Sequence, residues 1–264
     1  MRVMPETLND ILVELAETLD VEIQEGRKTA AIAPEVVAAF LKSKDIAPAV
    51  PRLSTDDKQP SSLLTSQPSS LPASQPSSLK DIAALIGQCQ RCTLCKTRLN
   101  VVPGVGMENP DIMFIGEAPG ADEDAQGLPF VGRAGQLLTK MIEATGYTRE
   151  TVFIANILKC RPPNNRPPLP DEMEACMPFL KQQIALVSPK VIVALGATAV
   201  EGLLRTGQRI SQTRGKWARF ENTPLMPTFH PSYLLRNPIA KKDAWADLLA
   251  VLKHLGKTPP PRKS

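Results

Sequence analysis

Four short apolar runs alternate with segments of helical spacing between residues 111 and 255, and no other feature of the chain narrows its fold as much. The runs are 111–115, 152–157, 190–195 and 225–229, all of strand length. After the first, 132–144 sets Leu137, Leu138, Met141 and Ile142 at helical spacing; after the second, Asp171 can cap a helix running to Val187. Segments 197–204 and 243–255 supply two more helices. Such alternation builds a mainly parallel sheet with helices on both faces. Ligands of such sheets gather at the carboxyl ends of the strands. Here those ends are Gly116-Glu117, Asn156-Ile157, Gly196 and His230, so one composite site is expected.

Upstream the pattern changes. Leu8, Ile11, Leu12, Leu15 and Leu19 have amphipathic helical spacing, and Pro34 can open a shorter helix through Val36, Val37 and Leu41. Two such helices bury little, so 1–45 reads as a small helical arm. The sequence Gln-Pro-Ser-Ser-Leu then recurs in register, beginning at Gln59, Gln67 and Gln75. Eight Ser and four Pro among residues 60–79 leave too few apolar groups to offset chain ordering, which makes 46–79 a flexible, disordered linker. Residues 80–258 then form the main domain, and 259–264 a basic tail.

Charge follows the same division. Residues 1–79 carry 7 basic and 11 acidic side chains, whereas 80–264 carry 24 and 16. All five Cys and both His also lie in the basic part, which suggests an anionic partner, most commonly nucleic acid. There is no run of about 18 apolar residues and no signal-type N-terminus, so a membrane role is not expected and a cytoplasmic location is. An odd number of Cys without an export signal argues against a disulfide scaffold and for a metal or a reactive thiol.

Three constellations carry chemistry. Cys89, Cys92 and Cys95 are spaced so that thiolates can converge on one centre, and Cys160 and Cys176 can complete four ligands. Tetrahedral zinc and an iron–sulfur cluster both satisfy that count. Gly116-Glu117-Ala118-Pro119-Gly120 follows the first strand directly, and further on Phe130, between Pro129 and Val131, offers a stacking face. Lastly, His230 ends the fourth strand and precedes Leu234, Leu235 and Arg236: a hydrogen-bonding group beside an apolar wedge and a phosphate contact.

From Cys89 to about Leu255 the chain closely resembles the family 4 (type-4, iron–sulfur) uracil-DNA glycosylases. The resemblance rests on Gly116-Glu117-Ala118-Pro119-Gly120, on Gly127 through Pro129-Phe130-Val131-Gly132, on Asn156-Ile157 with Lys159-Cys160-Arg161-Pro162-Pro163, and on His230-Pro231-Ser232-Tyr233-Leu234-Leu235-Arg236-Asn237-Pro238. It implies an α/β three-layer sandwich around a four-stranded, mainly parallel sheet. It also implies a [4Fe-4S] cluster on Cys89, Cys92, Cys160 and Cys176, with Cys95 spare. By the same resemblance Phe130 stacks on an extruded uracil, Asn156 reads its Watson–Crick edge, and His230 donates to O2 as charge builds on the departing base. The backbone of Gly116, Glu117 and Ala118 lines the pocket and holds water. Where the best-known branch has a water-orienting aspartate this chain has Ala118, leaving Glu117 and Glu123 to compete for that role. Arg161, Arg166 and Arg236 are candidate DNA contacts, and Leu234 or Leu235 a candidate wedge. The expected partner is uracil-containing DNA, single- or double-stranded, met by a monomer, with the N-terminal arm free to recruit a protein. The competing class is a non-catalytic metal-cluster DNA-binding module of the same fold.

Overall fold

The computed structural model describes residues 76–261. The N-terminal arm, most of the linker and the last three residues of the basic tail lie outside the described residues.

The first helix of the described residues starts inside the last repeat. The Ser78 hydroxyl accepts from the Asp81 N–H at 3.2 Å and caps helix α1, Leu79–Gly87. Six strands follow: β1 (Val105–Gly106), β2 (Ile112–Gly116), β3 (Phe153–Asn156), β4 (Val191–Leu195), β5 (Ala218–Phe220) and β6 (Thr223–Thr228). The helices are α2 (Ala121–Gln126) and α3 (Arg133–Ala144) between β2 and β3, and α4 (Pro170–Val187) before β4. After β4 come α5 (Ala197–Leu204) and α6 (Ile210–Thr213), and after β6 come α7 (Pro231–Arg236) and α8 (Lys241–His254). No helix among the described residues is long and apolar enough to cross a membrane.

All six strands join one sheet in the order β1-β3-β2-β4-β6-β5. The four expected strands form its parallel centre, with Gly116 level with Asn156 and Leu195 with Thr228. The expected count of four is corrected to six, since β1 and β5 add antiparallel edges. At two and three residues these edges are too short to carry an alternating pattern, which is why periodicity does not reveal them.

Alternation along the central strands sorts the core into two faces. Met113, Ile115, Ala155, Ile192 and Ala194 point toward Leu180 and Ile184 of α4 and Val200 of α5. Ile112, Phe114, Ile154, Val191 and Val193 point toward Leu138 and Ile142 of α3 and Leu248, Val251 and Leu252 of α8. The result is three layers with apolar side chains filling both interfaces, as the resemblance implies. Near the amino end of β2, Asp111 accepts from the Tyr147 hydroxyl at 2.7 Å and pairs with Lys190 at 2.8 Å and Lys257 at 2.6 Å. Those hydrogen bonds hold its carboxyl well below the usual carboxylate range. One carboxylate thus ties together four separate chain segments at the end of the sheet remote from the carboxyl ends.

Candidate active site

At the carboxyl ends of β2, β3 and β6 a cavity of about 370 Å³ opens between the loops. β2's last residue, Gly116, expected to line it, is buried behind the lining residues Glu117, Phe130 and Asn156. A methyl group on Gly116 would run into Asn156 Oδ1 on one side and the Phe130 ring on the other, so only a bare backbone permits the two side chains to flank one space. Asn156 is 2% exposed, and its Oδ1 has no hydrogen-bond partner among the described residues. An orphaned buried acceptor is costly unless a ligand supplies the missing donor.

Phe130 sits with φ at 53°, a left-handed conformation that strains a bulky residue. Three neighbours hold it there. Arg149 donates to the Phe130 carbonyl at 3.0 Å and to the Pro129 carbonyl at 2.6 Å. Glu123 accepts from the N–H groups of Val131 and Gly132, both at 2.9 Å. Gly135 on α3 abuts the Phe130 backbone so closely that any side chain there would collide with it. Glu123 also accepts from Gly120 N at 3.1 Å, so both of its oxygens are occupied. Glu123, expected to compete as a water-activating base, is thus placed as a brace of the aromatic loop.

His230 caps the N-terminus of α7. Its Nδ1 accepts from the Ser232 N–H at 3.1 Å and lies 2.8 Å from the Ser232 hydroxyl. An Nδ1 that accepts a backbone proton carries none, so the neutral ring bears its hydrogen on Nε2. Burial, with Arg236 adding like charge, lowers the His230 pKa to about 4. The ring lies 5.8 Å from that of Phe130. Gly196 leaves room for the His230 side chain, whose Cβ would stand 2.8 Å from an added methyl. Behind it, Thr228 donates to buried Asp247 at 2.7 Å, and Asp247 pairs with Arg214, anchoring the end of β6. All four expected strand ends therefore meet at one place.

Glu117 and Ala118 line the cavity, and Glu117 is half-buried. Arg166 reaches the rim, where it makes a bidentate pair with fully buried Glu172 at 2.6 and 2.9 Å, so a carboxylate already engages part of its charge. Arg161 donates to Asn165 at 2.7 Å, and Arg236 is exposed. Of the two wedge candidates, Leu234 is 1% exposed and belongs to the core, whereas Leu235 is 37% exposed. The wedge expectation thus narrows to Leu235. Ile239, 81% exposed on the next turn, was not foreseen because a lone Ile has no pattern to mark it.

The five thiols line a second, smaller pocket with Arg98 and Lys159. None is in a disulfide. Arg98 lies 3.1 Å from Cys160 Sγ, and the Lys159 N–H donates to Cys176 Sγ at 3.3 Å. Burial pushes the Cys176 thiol up to about 12 and raises Cys160 as well, so thiolates form here only where positive charge compensates them. Among the described residues no three His, Cys, Asp or Glu are arranged to hold a metal ion. A cluster spreads its ligands more widely than one ion does, and an all-sulfur donor set with two adjoining cations suits an anionic iron–sulfur centre.

The profile of the Uracil DNA glycosylase superfamily matches residues 103–249, a span that holds the cavity lining from Glu117 to Ser232. The chain belongs to that superfamily. It is similar to the type-4 uracil-DNA glycosylase of Archaeoglobus fulgidus, at 42% identity over 190 residues covering 69% of this chain and 96% of the relative. Against the type-4 uracil-DNA glycosylase of Thermotoga maritima the identity is 47% over 159 residues, 59% of this chain and 82% of the relative. A type-5 uracil-DNA glycosylase of Thermus thermophilus is 32% identical over 118 residues, 39% of this chain and 53% of that protein. Within the superfamily the chain is thus of the type-4 branch.

Proposed function

We propose that the protein is a uracil-DNA glycosylase that hydrolyses the N-glycosidic bond of uracil extruded from DNA and so initiates base excision repair. The observation that carries this reading is the Asn156 amide, buried with its acceptor unpartnered and lining one cavity with the Phe130 ring and His230. Uracil offers N3–H to Oδ1 and O4 to the amide N–H groups. Cytosine offers an amino donor where O4 stood and no N3–H, so two bonds fail together.

Phe130 stacks on the base, and its braced backbone means the stacking face exists before substrate arrives. As the glycosidic bond breaks, negative charge grows on the uracil ring, and His230 Nε2–H donates to O2. A neutral donor suffices, because the leaving group is stabilised as an anion and need not be protonated. Glu117, the remaining carboxylate of the original pair, orients the water that adds to the sugar. Leu235 fills the gap left by the extruded nucleotide, and Arg161, Arg166 and Arg236 engage phosphate.

Cys89, Cys92, Cys160 and Cys176 hold a [4Fe-4S] cluster, with Cys95 spare. Those residues would tie the loop after α1, the loop after β3 and helix α4 to the bound cluster, which would serve as a structural cross-link holding the basic stretch with Arg161 and Arg166 toward DNA. The protein works as a cytoplasmic monomer, and its N-terminal arm recruits a protein partner.

The test uses a single-stranded oligonucleotide with one uracil, end-labelled, treated with protein and then alkali, beside a thymine substrate and a His230→Ala control. Cleavage at uracil alone, strongly reduced in the control, is expected. Binding without cleavage by metal-loaded protein would instead identify a DNA-binding module.

A further inference from the structure

Lys159 opens the basic stretch assigned to DNA, but it is buried away from any DNA contact and stands between the two centres of the molecule. Its side chain is 1% exposed and its Nζ donates to the backbone carbonyl of Asn156 at 2.8 Å. Three residues back along the chain, that carbonyl belongs to the residue whose amide faces the cavity. On its other side Lys159 lines the thiol pocket with Cys160 and Cys176. An ammonium has three donors and one is used. No carboxylate among the described residues pairs with it. A fully buried cation with a single carbonyl for company persists only where negative charge faces it. The thiols are the groups placed to supply that charge.

We infer that Lys159 is a positioning residue linking the thiol centre to the base-reading amide. Thiolates bound to iron leave an anionic centre; the Lys159 ammonium is its internal counter-charge and, held there, fixes the Asn156 carbonyl and with it the end of β3. The inference rests on the glycosylase reading and its cluster, and it assigns the thiol centre a second task, holding the uracil reader in place as well as the DNA-facing loop. A chain that loses the centre leaves Lys159 uncompensated, and the turn from Asn156 to Lys159 is where the disturbance enters the cavity.

The experiment compares full-length parent, Lys159→Met and Lys159→Arg, each purified with iron. Iron and sulfide content, the reduction potential of the centre and the affinity for free uracil are measured together. Methionine fills similar volume without charge, so the variant is expected to fold. Its potential is expected to move to more negative values and its uracil affinity to fall about tenfold, while arginine restores the potential and most of the affinity. Unchanged potential and unchanged uracil affinity in the methionine variant would overturn the link. So would weaker uracil binding at an unchanged potential, the signature of packing alone. Should that variant not fold, the parent stripped of iron decides: uracil binding lost on stripping and regained on reconstitution supports the link, and binding that persists refutes it. If the parent binds no uracil and cuts no uracil DNA, the glycosylase reading fails instead. The potential then decides for the charge link, a shift reversed by arginine supporting it and no shift overturning it.

Discussion

The protonation state of His230 separates two mechanisms that otherwise look alike, and pH is the perturbation that tells them apart. With its pKa lowered to about 4, the ring is protonated in only about one molecule in a thousand at pH 7. The Ser232 N–H already donates to Nδ1, so a proton added there would set two donors against each other. A neutral Nε2–H donor therefore predicts single-turnover excision whose His230-dependent part is flat from about pH 5.5 to 8 and falls only as pH approaches 4. An imidazolium mechanism predicts the reverse, a loss as pH rises through about 6.5. Removing the donor by His230→Ala forfeits one preorganised hydrogen bond to a developing anion, about 10²–10³ in rate or roughly 3 kcal/mol. The same burial carries a stability signature. Between about pH 4 and 6.5 the unfolded chain binds the proton better than the folded one, so stability rises with pH over that window by at most roughly 3 kcal/mol and is complete above it. Quench-flow rates of parent and His230→Ala across this range are the assay. A parent rate that drops between pH 6 and 7.5, with the drop absent from the variant, would refute the neutral donor.

Other perturbations follow from the same geometry. Gly116→Ala drives a methyl group into Asn156 and Phe130, and excision should fall at least about 10²-fold, with less uracil product inhibition and a stability loss of about 1–3 kcal/mol from overpacking. Leu235→Ala should slow excision from duplex substrate about tenfold and spare single strands, whereas Leu234→Ala should cost about 3 kcal/mol in urea unfolding, because only the second side chain is buried. Asp247→Ala strands Arg214 and the Thr228 hydroxyl, and a loss of about 3 kcal/mol in the same unfolding assay is expected.

The central sheet and the meeting of four strand ends were legible because continuous apolar runs of strand length and strand–helix alternation are written into residues 111–229. Asn156 and His230 could be picked out for the same reason, since each sits at or beside a strand end, whereas Phe130 lies in the loop between α2 and α3 and is marked only by the Gly127-to-Gly132 motif around it. What could not be read is whatever acts through a distant partner. Arg149 holds the Phe130 carbonyl from 19 residues away and Arg98 reaches Cys160 from 62 away, and a basic side chain in a loop carries no mark of either task. Glu123 reads as a free acid because its donors, three backbone N–H groups, have no side-chain signature. Leu234 and Leu235 are indistinguishable by composition; only the rotation of α7 sends one inward.

The Asp111 tie gives ionic strength a second point of action. Its lysine partners, Lys190 and Lys257, are 71% and 50% exposed, so added salt screens the bonds that gather the amino end of the sheet. The cavity at the opposite end rests on shielded contacts: a backbone N–H on His230, carbonyls on Arg149 and N–H groups on Glu123. Salt will loosen the attraction of this basic domain for DNA and the far end of the fold, yet leave the base-recognition geometry unchanged. Affinity for oligonucleotides and affinity for the free base should therefore part company along a salt titration, and the size of the gap measures how completely the two ends of the sheet are mechanically insulated from each other.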